Sequence, residues 1–377
     1  MYSRQLRILH VVGGLDRAGV ETWLMNVLRR ADRARFQMDF LVHGTQPYAY
    51  EREATDLGAH VIRCLHPHNA PSYGASLCRI LSRKPCYDIV HSHVHFLTGF
   101  VLRIARLAGV PHRIAHSHLD TRLIDGKAGV ARRLQVGMAK RWLDSSATRC
   151  LAVSTDAAAA LFAEAKCGSR CEILPCGVDL SPFRGKVDET TIRSRLGVPP
   201  TARVVGHIGR FEPQKNHAML VQIAAKAAKR DPQVHFLFVG EGRLRPAIEA
   251  LVKEAGCCDN VHFLGSRADV PQLMRCMDAF VFPSLYEGLG LVVIEAQAAG
   301  LECFVSDNLP HAADIVPDLV RRLALADGPS HWAEQILNAL TSSAERRSGH
   351  KALSAVEQSN FNIENNVENL LTFYESL

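Results

Sequence analysis

Short, β-branched apolar runs alternate with helix-length amphipathic segments along most of the chain. This alternation constrains the fold more than any single motif. In the first half the strand-like runs are Leu6–Val12, Phe36–Val42, His60–Cys64, Asp88–His91 and Arg113–Ala115, with helix patterns over Val20–Arg30 and Thr98–Ala108. A second series starts at Arg203, with strands over Val204–Ile208, Val234–Val239, Val261–Leu264, Ala279–Phe282 and Cys303–Ser306. Helix patterns over Ala218–Lys229, Leu244–Glu254, Val270–Met277 and Leu291–Ala299 separate them. Apolar strands joined through helices form parallel sheets covered on both faces. The expectation is an α/β protein with an N-terminal domain over 1–180, a proline-bearing linker over 181–200 and a second domain over 201–358. The amphipathic end, 359–377, reads as a helix packing back toward the first domain. In open parallel sheets, ligands bind beyond the carboxyl ends of the strands, so the natural site is a cleft that the two sheets face.

Composition narrows the class. Of 377 residues, 47% are hydrophobic and 22% charged, as in globular proteins. The apolar runs are far shorter than the roughly 20 residues a membrane-spanning helix needs. The first residues, Met1 to Arg7, lack the apolar core of a signal peptide, which points to the cytoplasm. Eleven cysteines include no CxxC pair, and Cys167, Cys171 and Cys176 lack the paired spacing of a zinc site. Reduced thiols are expected, with no metal. The net charge of +6 is uneven: residues 1–186 hold 26 Lys and Arg against 15 Asp and Glu, and the remainder is acidic. A basic half suits a phosphorylated substrate or an anionic membrane. No nucleic-acid-binding signature accompanies it.

The chemistry-bearing motifs follow strands. After Ala279–Phe282 comes Glu287-Gly288-Leu289-Gly290-Leu291, with Glu295 separated from Glu287 by seven residues. Glycines at a helix mouth let backbone N–H groups approach a ligand, and the helix dipole favours phosphate. Glu295, one to two turns into that helix, can accept bonds from ribose hydroxyls. After Val204–Ile208 comes Gly209-Arg210, with Lys215 beyond, two cations suited to one anion.

The combination Gly-Arg-x4-Lys, Val239-Gly240-Glu241-Gly242 and Pro-Ser-x-x-Glu-Gly-x-Gly-x3-Ile-Glu-Ala resembles the retaining glycosyltransferases of family 4. The loop Gly13-Gly14-Leu15-Asp16-Arg17-Ala18-Gly19 is similar to that family's first loop, and the likeness is greatest to exopolysaccharide and capsule enzymes. The resemblance implies the GT-B fold: two Rossmann-like domains, the second holding a nucleotide-sugar and the first an acceptor, with no bound metal. It implies that Arg210 and Lys215 bind the donor diphosphate, that Glu295 binds the ribose, and that Glu287 contacts the transferred sugar. Arg267, in the Gly265–Val270 stretch facing the base, Gly14, Gly288, Leu289, Gly290 and Leu291 complete the implied donor site. A UDP-sugar donor and a glycan or lipid-linked acceptor are the expected substrates. Where the family often shows Gly-x-Pro-Glu, this chain has Asn308-Leu309-Pro310-His311.

Histidines concentrate at two strand ends. His91, His93 and His95 alternate, as do His116 and His118, which places each set on one face of an extended chain. A three-histidine zinc site and structural histidines bonded to backbone are both compatible with the pattern. The resemblance implies that His118 lies beside the donor sugar as a catalytic residue; His116, His93 and Asp120 are weaker candidates for the acceptor pocket. The first glycine loop fails the GxGxxG spacing of a dinucleotide site. Lys127–Ser145 interleaves Lys127, Arg132, Arg133, Lys140 and Arg141 with Val130, Leu134, Val136, Met138, Trp142 and Leu143. Such a helix lies on an anionic membrane, at the inner face of the cell membrane, or buries its stripe in the domain. A nucleotide-sugar epimerase of the same architecture and a non-catalytic nucleotide-sugar binder are the competing readings.

Overall fold

The computed structural model describes residues 4–64, 69–126, 129–162, 171–185, 187–342 and 349–377. The chain divides into two compact units, one of Met1–Gly177 with Ile363–Leu377, the other of Val178–Asn362. In the first, strands β1 (Leu6–Val11), β2 (Phe36–Val42), β3 (Val61–Arg63), β4 (Ile89–Ser92), β5 (His112–Ser117), β6 (Arg149–Ala152) and β7 (Cys171–Ile173) form one sheet in the order β3-β2-β1-β4-β5-β6-β7. In the second, β8 (Arg203–Ile208), β9 (Val234–Val239), β10 (Val261–Gly265), β11 (Ala279–Phe282), β12 (Glu302–Ser306) and β13 (Val320–Leu323) run β10-β9-β8-β11-β12-β13. Every pairing is parallel. The strand order reverses between β1 and β4 in one sheet and between β8 and β11 in the other, the points where such sheets open a crevice for ligand.

The buried pattern of the strands explains the sheets. All six residues of β9 and all four of β11 are buried, as strands covered on both faces require. In the second unit, Phe236, Phe238, Val281 and Phe304 pack with Leu220, Ile223 and Trp332 from the covering helices.

The segment 181–200, expected as a linker, belongs to the second unit. Helices Ser181–Arg184 and Glu189–Arg195 fold within it, and Phe183 and Val198 are each 3% exposed. The Arg193 guanidinium anchors the segment by donating to Cys276 O, Ala202 O and Asp278 Oδ2, each at 3.0 Å. Prolines and charge read as a linker here because its few apolar residues are spaced singly.

The helix Ile363–Glu375 is part of the first unit. Trp23 Nε1 donates to Asn366 Oδ1 at 2.6 Å, Asn366 Nδ2 donates to Pro175 O at 2.6 Å, and Gly177 N donates to Asn366 Oδ1 at 3.1 Å. One buried amide thus satisfies three groups that would otherwise be stranded in an apolar interior. Among the described residues, nine cysteines are free thiols, but Cys150 is disulfide-bonded, against the expectation for this chain. Cys167 lies outside the described residues.

Candidate active site

In the second unit, β8 ends in a tight turn through Gly209, Arg210 and Phe211 into the short 3-10 helix Pro213–Lys215 and the helix His217–Arg230. Asn216 joins the last two in a left-handed conformation, φ 54°. This turns the Lys215 side chain onto the loop that follows β11. Lys215 Nζ donates to Glu287 Oε1 at 2.6 Å and lies 4.6 Å from the centre of the Phe282 ring. Gln214 Nε2 donates to Glu287 Oε2 at 3.1 Å and to Tyr286 O at 3.0 Å. Glu287 is only 6% exposed, so its charge is held by a direct ammonium and an amide rather than by water. Gln214 is a site residue that the sequence reading missed; its neighbour Lys215 drew all the attention because it carries charge.

Arg210 does not join that pair. It stands exposed, and its guanidinium has no hydrogen bond or ion pair among the described residues. An exposed guanidinium on the turn that leads to Lys215 is a suitable group for an incoming diphosphate.

Gly288, Leu289 and Gly290 are buried at the mouth of the helix Leu291–Ala298. Gly290 caps that helix at φ 87°, a conformation that side chains rarely adopt. Glu295 sits on the second turn, partly buried, and its carboxylate has no partner among the described residues. Burial alone pushes its carboxyl up to about 7. Ser284 Oγ, between β11 and Glu287, is also buried without a partner among the described residues. Arg267 forms a two-point pair with Asp269 at 2.8 and 2.7 Å.

Glycines hold the loop around Arg210 in place. Gly209 N donates to Val239 O at 2.9 Å, Phe211 N to Glu241 O at 3.0 Å, and Leu244 N to Phe211 O at 3.1 Å. Gly240, at φ 142°, lies so close that an added Cβ would stand 2.1 Å from Gly209 O. At Gly14 in the first unit, an added Cβ would stand 2.5 Å from the Tyr48 ring. Tyr48, unnoticed in the sequence, covers that loop.

The histidines regroup. His95 leaves the set: its Nε2 bonds Thr121 Oγ1 at 3.0 Å and its φ is 46°. His10 of β1 enters instead, with Nδ1 3.1 Å from His93 Nε2. His118 has both ring nitrogens engaged, Nε2 with His93 Nδ1 at 2.9 Å and Nδ1 with Cys176 Sγ at 3.7 Å. His91 Nδ1 meets the Tyr374 hydroxyl at 2.6 Å, and His116 Nε2 meets Leu174 O at 3.1 Å. Burial holds all five imidazoles below their ordinary range. Asp120 is bonded to Arg122 at 2.9 and 2.7 Å, away from this group's hydrogen bonds.

On the helix Val130–Ser146, Val130, Leu134 and Met138 are 73%, 70% and 50% exposed, while only Leu143 and Ser146 are buried. Val130, Leu134 and Met138 therefore face away from the core, while Leu143 is buried and the Trp142 ring packs 5.6 Å from that of Phe100. Lys127 lies outside the described residues.

Residues 18–177 match the family model described as a glycosyl transferase 4-like domain, and residues 188–352 match the one described as glycosyl transferases group 1. Over 381 residues the chain is 35% identical to EpsF of Bacillus subtilis (strain 168), named as a glycosyltransferase, covering 99% of this chain and 97% of that one. The chain belongs to the family-4 glycosyltransferases. It is 32% identical over 247 residues to the UDP-Gal:alpha-D-GlcNAc-diphosphoundecaprenol alpha-1,3-galactosyltransferase of Escherichia coli, covering 62% of this chain and 60% of that protein. HepE from Anabaena, solved with UDP and glucose, superposes at TM-score 0.80 with 19% identity, over 99% of this chain and 100% of that one. Sucrose-phosphate synthase from Thermosynechococcus elongatus superposes at 0.79 with 21% identity, over 99% of each chain. At these identities the structural likeness speaks to fold: this glycosyltransferase has the two Rossmann-like domains of the GT-B architecture.

Proposed function

We propose that this glycosyltransferase moves a sugar from a UDP-sugar to a glycan or lipid-linked acceptor, with retention, in the synthesis of a cell-surface polysaccharide. The observation that carries the reading is the buried Lys215–Glu287 pair beside the glycine mouth of the Leu291–Ala298 helix. The named activity of the Escherichia coli relative, and the UDP held by HepE, support the choice of donor and acceptor. Lys215, Arg210 and the helix N-terminus take the charge that grows on the departing diphosphate. That charge stabilisation calls on no metal. The bond from the sugar's anomeric carbon to the phosphate oxygen breaks, and the bond to the acceptor oxygen forms on the same face. The acceptor's proton leaves with the phosphate oxygen. Glu287, held by Lys215 and Gln214, orients the sugar and need not attack it. Glu295 accepts from the ribose hydroxyls.

Calorimetry with UDP, GDP and ADP tests the reading. UDP is expected to bind tightest, and Glu295→Gln to weaken it by about 1.5–3 kcal/mol, the scale of a charge-assisted hydrogen bond. The free carboxyl, held near 7, is largely protonated below that pH, whereas ribose binding needs it ionised. Nucleotide binding at pH 6 should therefore release a proton, and affinity should fall as pH drops below about 7. Glu295→Gln should flatten that dependence. An identical pH profile in both proteins would remove Glu295 from the ribose.

The acceptor reading extends to a membrane surface. Among the described residues no helix is long and apolar enough to cross a membrane. The exposed Val130–Met138 stripe lies among Arg132, Arg133, Lys140 and Arg141, a set suited to anionic headgroups. Flotation should show binding to anionic vesicles, weakened by salt and lost in Leu134→Glu. Equal recovery with neutral vesicles, or none with either, counts against docking by this stripe.

A further inference from the structure

Glu287 is held from two sides by side chains that are neighbours in sequence. Lys215 Nζ donates to Oε1 at 2.6 Å, and Gln214 Nε2 donates to Oε2 at 3.1 Å. The same amide nitrogen donates to Tyr286 O at 3.0 Å, so both of its hydrogens are used on the loop after β11. Turning the amide over would set its oxygen against two acceptors, so the bonding partners fix its orientation. The main chain adds a separate tie, from Leu285 N to Gln214 O at 2.8 Å. Asn308 Nδ2, beyond β12, donates to Leu285 O at 3.2 Å. The loop after β11 is therefore fastened on two sides without the Gln214 side chain.

The two donors are not equivalent. An ammonium on a four-carbon stem is a point charge, and one bond to Oε1 leaves the carboxylate plane free to swing about it. In the proposed transfer, Lys215 also has a second claim on its charge, because negative charge grows on the leaving diphosphate. The Gln214 amide is neutral and planar, and Tyr286 O anchors it. It has no such claim on it and stays on Oε2 while the ammonium answers the phosphate. Glu287 is 6% exposed, so little water is at hand to replace a lost donor. A bond donated to the carboxylate also favours its ionised form.

We propose that Gln214 is a positioning residue for sugar transfer, fixing the plane and the ionised state of Glu287 through Oε2 without touching the donor itself. The proposal rests on the reading of Glu287 as the group that orients the sugar. The competing role is a brace between two loops, in which the amide serves the fold and Glu287 gains nothing from it.

The test compares full-length Gln214→Met, Glu287→Gln and the double variant in transfer assays at saturating donor, with bare UDP titrated by calorimetry. Methionine keeps the length of the side chain and the main-chain tie to Leu285, and removes both donated bonds. Gln214→Met should lower kcat about 10- to 100-fold, the scale of a hydrogen bond to a charged group, and leave UDP affinity within about twofold of the wild-type value. On the Glu287→Gln background the same substitution should cost less than about twofold, because residues that act through one another are not additive. Gln214→Glu gives a second signature. Its carboxylate stands against that of Glu287, and two carboxylates in contact share a proton, which raises one of them above the ordinary range. The protonated side chain donates to Oε2 again. The ratio of its kcat to the wild-type kcat should therefore climb as pH falls from about 8 toward about 5, approaching about tenfold per unit. Equal losses on both backgrounds, or UDP affinity that falls along with kcat, make Gln214 a loop brace and overturn the proposal. A flat kcat ratio in Gln214→Glu overturns it as well. Wild-type transfer in Glu287→Gln is a different failure: it removes Glu287 from the sugar, and the proposal falls with that reading.

Discussion

Lys215→Ala should lower kcat for sugar transfer by about 30- to 1000-fold, equivalent to roughly 2–4 kcal/mol of barrier. The lysine's ammonium already sits in the site, 2.6 Å from Glu287 and against the Phe282 ring. It is therefore positioned before donor arrives, and its contribution grows as negative charge develops on the leaving diphosphate. The same substitution leaves Glu287 nearly buried, with Gln214 as its remaining side-chain partner, and that costs up to about 3 kcal/mol of stability. The two effects separate experimentally. A thermal melt reports the second, and steady-state kinetics well below the melt report the first. Wild-type kcat with a raised KM would mean that Lys215 binds substrate and transition state equally. Glu287→Gln keeps a group of the same shape but removes the charge that holds Lys215 in place. Its transfer rate should fall as well, because the two residues act as one unit.

Apolar content, more than place in the sheet, made strands legible: even the edge strands β3 and β10 are announced by the runs His60–Cys64 and Val261–Leu264. Ala279–Phe282 reads as a strand because all four residues are apolar, and all four are buried. Edge strands β7 and β13 escaped notice. β7 has three residues and β13 carries two consecutive charges, Arg321 and Arg322, since an edge needs less apolar cover and is blunted by charge. β6 has only three buried residues to announce it. The donor motifs were legible because their spacing is local: Arg210 to Lys215, and Glu287 to Glu295. The partners were not. Gln214 reaches Glu287 across 73 positions, Trp23 reaches Asn366 across 343, and His10 joins His93 across 83. Each meeting is set by strand order, which a single run of sequence does not state. The Val130–Ser146 helix shows a further limit. Its spacing identified an apolar stripe, yet periodicity cannot say whether a stripe faces core or solvent. Only the packing resolves that, with Val130 and Leu134 left outside.

Gly240→Ala should destabilise the second unit by roughly 2–5 kcal/mol and weaken UDP binding in the protein that still folds. The glycine follows β9 in the Val239-Gly240-Glu241-Gly242 motif, where no charge or ligand contact explains it. The reason lies in the backbone. Its φ is 142°, and a Cβ there would meet Gly209 O at 2.1 Å and Gly209 C at 2.9 Å. Those atoms belong to main chain that also pairs with β9 through Gly209 N and Val239 O, so the contact cannot be relieved by a rotamer change. The turn must move, and Arg210 is the next residue along it. Gly206→Ala is the informative comparison. Its Cβ would meet the Met277 side chain at 1.9 Å, and a flexible thioether can give way. The expected order is therefore a larger loss of urea stability for Gly240→Ala than for Gly206→Ala, with nucleotide affinity reduced in the first. If Gly240→Ala shifts stability by less than about 0.5 kcal/mol, within the range of an ordinary surface change, the close approach of the two loops is not what the glycine serves.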